Sequence, residues 1–402
     1  MRILFANDGF GDPGGVQSYL DAVVAGLIAR GHDLAILHRD AEPAPFAAAA
    51  LRSLPQFRVA DLGAAGAADA VRAWQPDVCY SHNMNTLEVD RQLMAVAPVV
   101  KFMHGYFGTC VSGQKRFGFP VARPCARAFG PACAALYLPR RCGQLDPVKL
   151  VAQYRWAVEQ HDLLAEYRAL VVASAHMKRE YVRNGVDASR VHVNPLFPTE
   201  AVAAAADTTT GPATPTVAFA ARMTTLKGGD VLIRAVAEAS ARLASPIRLT
   251  MMGDGPQRPA WERLARDCRV DCTFTGWQSG EARWRWLGGA TVLAVPSTWP
   301  EPFGLVGLEA AALGVPAVAF DVGGVREWLR PGENGYLVAG DPPRASAFAA
   351  ALVRAFTHPE EIATMRQSAV EVARAMSLAR HLDRLEAVLA GDARPYAHSA
   401  GR

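Results

Sequence analysis

Pro296-Ser-Thr-Trp-Pro-Glu301-Pro-Phe-Gly304-Leu-Val-Gly-Leu-Glu309-Ala is the stretch on which the reading of this chain turns. An apolar run, Thr291–Val295, breaks at Pro296; a short loop carries Glu301; a helix starting near Gly304 carries Glu309. Proline and glycine mark such strand-to-helix turns because one fixes the backbone and the other frees it where a regular element must stop. Glu301 stands at the mouth of the turn, ahead of the helix, and Glu309 lies more than one turn inside. Carboxylates so placed accept hydrogen bonds from vicinal hydroxyls, while the helix start between them stays free to face a phosphate. A plainer reading makes Glu301 a partner of the helix dipole and Glu309 a buried, satisfied acid.

The same punctuation repeats in both directions. Strands are expected at Arg2–Asn7, Leu34–His38, Val78–His82, Val99–His104 and Leu170–Ser174, with helices over Gln17–Arg30, Gly66–Trp74, Thr86–Ala95 and Pro147–Tyr167. After a break the alternation resumes with strands at Thr216–Ala221, Ile247–Met252, Cys272–Thr275, Thr291–Val295 and Pro316–Phe320. Apolar strands alternating with amphipathic helices predict parallel sheets covered on both faces. The fold class is therefore α/β, with two Rossmann-like doubly wound domains facing a cleft. The spacing predicts a first domain over residues 1–195, a linker over 196–215, a second domain over 216–375, and a C-terminal helix and tail over 376–402. The helix, with apolar residues at Leu378, Leu382, Leu385, Val388 and Leu389, is expected to pack back on the first domain.

Ligands in such sheets lie beyond the carboxyl ends of the strands, and there the second domain places its cations. Thr216–Ala221 runs into Arg222-Met-Thr-Thr-Leu-Lys227-Gly228-Gly229 and then a helix. A guanidinium fork and a mobile ammonium between a strand end and a helix start suit a diphosphate; alone, the pattern also fits a solvated loop. In the first domain Gly9, Gly11 and Gly14 spell a dinucleotide-type G-x-G-x-x-G, but Pro13 sits inside the turn and Asp40 comes late for a ribose partner. What remains is the flexible Gly14-Gly15 turn, whose exposed N–H groups can approach an anion.

Half of the 402 residues are hydrophobic and a fifth are charged, which excludes a disordered chain. No apolar run reaches the roughly 18–20 residues of a spanning helix, and the short apolar start reads as a strand rather than a signal peptide, so a cytoplasmic location is expected. A formal net charge of +4 is too mild to call for nucleic acid. Between residues 101 and 150, however, eight basic residues face one acid, Asp146. That patch fits an anionic membrane surface, here the inner face, a phosphorylated acceptor, or a solvated loop. The same segment carries four of the seven cysteines, Cys110, Cys125, Cys133 and Cys142, among several prolines. A structural zinc site, unpaired buried thiols and disulfides are the three readings; each would staple a long loop beside His104.

Arg222, Lys227, the Glu301-to-Glu309 stretch and the Gly323-Gly324-Val-Arg-Glu327 stretch, in this order, resemble the retaining glycosyltransferases of family four, of the GT-B fold. The resemblance covers nearly the whole chain. It implies a nucleotide-sugar donor, with Arg222 and Lys227 on the diphosphate, Glu301 and His104 at the donor sugar, and Glu309 on the ribose. Gly14 and Gly15 match the family's glycine loop, and Gly304 opens the donor-binding helix. It implies a glycan or lipid-linked acceptor, no cofactor for the chemistry, and no metal beyond the possible structural zinc. The chain carries no Asp-x-Asp pair of the metal-dependent kind. A sugar-nucleotide epimerase on the same scaffold and a binding protein without catalysis are the alternatives.

Overall fold

The computed structural model describes residues 1–9, 15–39, 52–198 and 214–393. Gly11, Gly14 and Asp40, and most of the expected linker, lie outside the described residues. The first sheet holds β1 (Arg2–Ala6), β2 (Asp33–His38), β3 (Gln56–Arg58), β4 (Val78–Ser81), β5 (Val99–Met103), β8 (Ala169–Val172) and β9 (Val191–Val193). Their order is β3-β2-β1-β4-β5-β8-β9, parallel throughout. Between β5 and β8, β6 (Arg116–Phe117) and β7 (Arg123–Pro124) form a small antiparallel hairpin. The second sheet holds β10 (Thr216–Ala220), β11 (Arg248–Met252), β12 (Cys272–Gly276), β13 (Val292–Val295), β14 (Ala317–Asp321) and β15 (Gly335–Ala339). It is likewise parallel, in the order β12-β11-β10-β13-β14-β15.

The central strands read as unbroken apolar runs because helices cover both faces of a parallel sheet. Ile3 to Ala6 and Val292 to Leu293 are accordingly buried. In the first domain the helices are α1 (Gly15–Ala29), α2 (Val59–Trp74), α3 (Leu87–Met94), α4 (Pro131–Tyr137), α5 (Pro147–Leu163) and α6 (Ala175–Arg183). The helix α2 starts earlier than expected and breaks at Gly63, whose φ of 68° interrupts it. The helix α5 begins at Pro147 because the Asp146 carboxylate caps the Val148 and Lys149 amides, and it ends four residues before the expected Tyr167. In the second domain follow α7 (Gly229–Leu243), α8 (Arg258–Asp267), α9 (Gly280–Gly288), α10 (Leu305–Ala312), α11 (Ala345–Thr357) and α12 (Pro359–Ala375). The last helix, α13 (Leu378–Ala390), lies against the first domain. His381 on it bonds the Tyr19 hydroxyl of α1 at 3.0 Å and the Pro195 carbonyl at 2.8 Å, and Arg30 reaches Asp383 and Glu386.

The basic segment is partly internal, which corrects the view of it as a continuous surface patch. Lys101 is buried on β5 with its Nζ 2.6 Å from Asp90 and 3.0 Å from the Ser81 hydroxyl. Lys115 is buried against Glu180 at 2.8 Å, and Arg123 pairs with Asp341 of the second domain at 3.0 Å. Charges taken out of water must be paired, and Lys101 and Lys115 are so paired, whereas the Arg123 pair is exposed. Among the described residues no helix is long and apolar enough to cross a membrane.

Asp90 is fully buried and also accepts from the Ser81 and Tyr167 hydroxyls, both at 2.6 Å. Lys101→Met removes its only cationic partner among the described residues and should destabilise the chain by about 3–5 kcal/mol, the cost of an unpaired buried charge. Urea unfolding checks this; a loss below about 1 kcal/mol, the level of an exposed pair, contradicts it.

Candidate active site

The carboxyl edges of the two sheets meet across a cavity of about 380 Å³, lined by Gly15, Tyr19, His104, Arg222, Lys227, Ser297, Glu301 and Gly304 among others. Arg222 leaves β10 on a turn held by β11: the Met223 amide bonds the Asp254 carbonyl at 2.7 Å. Gly253 (φ 117°) and Gly255 (φ 150°) let the Ala221 and Met223 carbonyls pack where a side chain would collide. The Arg222 side chain is exposed and has no partner among the described residues.

Lys227 ends a 3-10 turn, Thr225–Lys227, tied to the quoted stretch. The Thr298 amide bonds the Leu226 carbonyl at 2.8 Å, and its hydroxyl bonds the Thr225 carbonyl at 3.1 Å. Gly228 (φ 65°) then packs directly on the Pro296 carbonyl. The result is an ion pair of 2.6 Å between Lys227 Nζ and Glu301 Oε1, with the ammonium also 5.4 Å from the Trp299 ring centre.

Glu301 is 4% exposed, and its Oε1 accepts from three donors: Lys227, the Ser297 hydroxyl at 2.5 Å and Trp299 Nε1 at 3.1 Å. No described residue bonds Oε2, so the second oxygen stays open to a ligand. Beyond it Gly304 (φ 85°) caps α10, a left-handed conformation a side chain resists. The N-termini of α10 and α1 thus border the same cavity as the two cations.

His104 lies just past β5, with Nε2 3.0 Å from Nδ1 of His82, which lies just past β4. Burial, helped by Lys101, pushes the His104 pKa down to about 3, and burial lowers His82 as well. Both shifts favour the neutral ring at neutral pH. His82 was not singled out from sequence. Its signal was a histidine closing an apolar run, the same signal that His104 gives one strand along.

Glu309 is buried on α10 and does not border the cavity. Burial raises its pKa, opposed by Arg283 of α9, whose guanidinium engages both carboxylate oxygens. Sequence reading missed Arg283 because nothing local ties α9 to α10. Glu327 faces the other domain: its Oε1 accepts from the Ala175 amide at 2.6 Å, at the start of α6.

Cys110, Cys125, Cys133 and Cys142 are free thiols folded into one neighbourhood, where each of the other three raises the Cys142 pKa, to about 12 with burial as the main cause. Yet among the described residues no group of three or more His, Cys, Asp or Glu is arranged to hold a metal ion. The Cys133 and Cys142 thiols lie 3.8 Å from the Ala128 and Leu136 carbonyls. Within the segment β6, β7 and α4 are short regular elements joined by turns and coil.

Two outcomes follow. His104, with a folded pKa of about 3, and His176 and His381, at about 4, sit below the ordinary histidine value of about 6.5. The unfolded chain therefore binds more protons below pH 6.5, and stability should fall from there down to about pH 4. Denaturant midpoints at pH 7.5 and pH 5 measure this, and His381→Gln should shrink the difference. Arg283→Ala should raise the Glu309 pKa further, read as a protonated carboxyl band by infrared difference spectroscopy with Glu309→Gln as reference.

Comparison with known proteins agrees with this geometry. Residues 14–196 match the family described as Glycosyl transferase 4-like domain, and residues 214–358 match Glycosyl transferases group 1. A D-inositol 3-phosphate glycosyltransferase of Nocardia farcinica is 35% identical over 199 residues, covering 46% of this chain and 44% of that protein. The chain spans about half the length of the curated relatives it matches. Among solved structures, Anabaena Alr3699/HepE in complex with UDP-glucose superposes with a TM-score of 0.67 at 19% identity, over 97% of this chain and 100% of that one. A glycosyltransferase from Rickettsia africae gives a TM-score of 0.70 at 14% identity, over 97% and 98%. With both halves matched in order and the whole fold shared, the chain belongs to the glycosyltransferases of the GT-B fold, of the family-four type.

Proposed function

We propose that the protein transfers a sugar, with retention of anomeric configuration, from a nucleoside-diphosphate sugar to a glycan or lipid-linked acceptor. One observation carries the reading: Arg222, Lys227, Glu301 and two helix N-termini border a single cavity between the domains. Breaking a glycosyl–phosphate bond leaves negative charge on the diphosphate and positive charge on the sugar. Fixed cations and helix N-termini stabilise the leaving diphosphate without reorganising as the charge develops. Arg222, free of partners among the described residues, meets the diphosphate first, and Lys227 shares its ammonium between the diphosphate and Glu301. The open oxygen of Glu301 takes sugar hydroxyls. Nδ1 of His104, which no described residue bonds, is left for the sugar. Glu309 reaches the ribose only when Arg283 shares its carboxylate. The UDP-glucose held by Anabaena HepE makes uridine the first base to try, and the name of the Nocardia relative makes inositol 3-phosphate one acceptor to try.

A second cavity, meeting the first at Phe102, Met103, His104 and Trp299, favours transfer over the epimerase reading, which has no second substrate. The test is turnover of nucleotide sugars by the full chain. Arg222→Ala and Glu301→Ala should each lower kcat by about 10²–10³-fold, the usual cost of one preorganised charge-stabilising group. Their circular dichroism should match the parent. Equal turnover in either variant rules out the assigned roles, and absence of turnover with every nucleotide sugar in the parent leaves a binding protein.

A further inference from the structure

The second cavity, about 500 Å³, opens on the first-domain side of His104. Its walls combine two kinds of group. Phe107 and Trp156 meet edge to face with ring centres 5.6 Å apart, and Trp299 forms the partition towards Glu301. Asn83, Gln114 and Gln160, each carrying a side-chain amide, line the same cavity. Gln160 is 2% exposed; its amide nitrogen reaches only the Tyr167 hydroxyl, at 3.5 Å, and no described residue bonds its Oε1. No described residue bonds the Asn83 side chain either, and its backbone amide is fixed by Asn7 at 3.0 Å.

The charge of this cavity is as telling as its shape. The one Lys or Arg among its lining residues, Lys101, is paired with buried Asp90 at 2.6 Å. The two histidines in its wall, His82 and His104, bond each other, and Nε2 of His82 is buried without a partner among the described residues. A phosphomonoester brings nearly two negative charges and is held by Arg or Lys or by a helix start. The start of α3, which follows the lining residue Asn85, carries Glu88 in its first turn, an acid that disfavours an anion there. Asp8, bonded to the Asn85 amide at 3.1 Å, adds a carboxylate at the rim, answered by Arg39 at 3.8 Å.

Resting on the transferase reading, we infer that this cavity seats the acceptor as an uncharged sugar, and not as a phosphorylated polyol. The apolar C–H face of a pyranose packs on aromatic rings, and amides serve sugar hydroxyls well because each offers both donors and an acceptor. The hydroxyl to be glycosylated passes between His104 and Trp299 to reach the donor sugar.

The test uses the full chain with saturating UDP and saturation-transfer NMR. Neutral methyl hexopyranosides and inositol 3-phosphate are titrated in parallel, and UDP binding is followed separately by calorimetry. Binding of a neutral glycoside, weakened about fivefold by Gln114→Ala as loss of one hydrogen bond predicts, with no saturable binding of inositol 3-phosphate, is the expected result. The second variant, Asn83→Ala, should weaken the same glycoside without altering UDP affinity. Binding of inositol 3-phosphate in preference to every neutral glycoside overturns the inference, as does failure of both while UDP still binds. Failure of UDP itself to bind sinks the transferase reading instead, so the two failures are told apart.

Discussion

Three hydrogen-bond donors converge on one oxygen of Glu301, and the rest of the site depends on that arrangement. Lys227, Ser297 and Trp299 come from two loops that meet where Gly228 lies directly on the Pro296 carbonyl and Thr298 bonds the Leu226 and Thr225 carbonyls. A carboxylate held from one side keeps its other oxygen aimed into the cavity. It also keeps an ammonium within reach of a diphosphate without leaving that ammonium unpaired in the empty site.

The two domains meet around this point through close, specific contacts. Gly324 approaches Ser174 so closely that a side chain there would collide, and Glu327 caps the first turn of α6. The Tyr106 hydroxyl reaches the Glu301 carbonyl at 3.5 Å, so the loop that carries the carboxylate is braced from the opposite domain. On the far side α13 returns to the first domain, where His381 joins Tyr19 of α1 to Asn194 at the end of that domain. Tyr19 itself borders the cavity. A donor between the sheets therefore touches residues whose positions are coupled to both domains.

Charge is distributed by the same logic of pairing. Lys101 and Lys115, which look in sequence like part of a basic surface, neutralise Asp90 and Glu180 inside the first domain. Arg283 neutralises Glu309. Arg222 is left as the cavity's unpaired cation among the described residues, and it faces the place where a diphosphate would lie. Side-chain charge in a sequence gives no sign of its partner, so a run of cations reads as a patch until the fold shows which are interior.

Periodicity determined the fold: apolar runs bounded by glycine and proline can only be buried strands, and helices between them force parallel sheets. Of the strands that escaped notice, β6 and β7 have two residues each and β3 and β9 three, too few to show a pattern, while β15 (Gly335–Ala339) has five. The cations after β10 and the glutamates around α10 were also legible, because strand ends and helix starts are local features. Tertiary structure alone decided the pairings. It set His82 on His104 through neighbouring strands and closed Arg283 on Glu309 across two helices. Each of these joins residues far apart in the chain, and their separation in space depends on how the sheets pack, which no local pattern encodes.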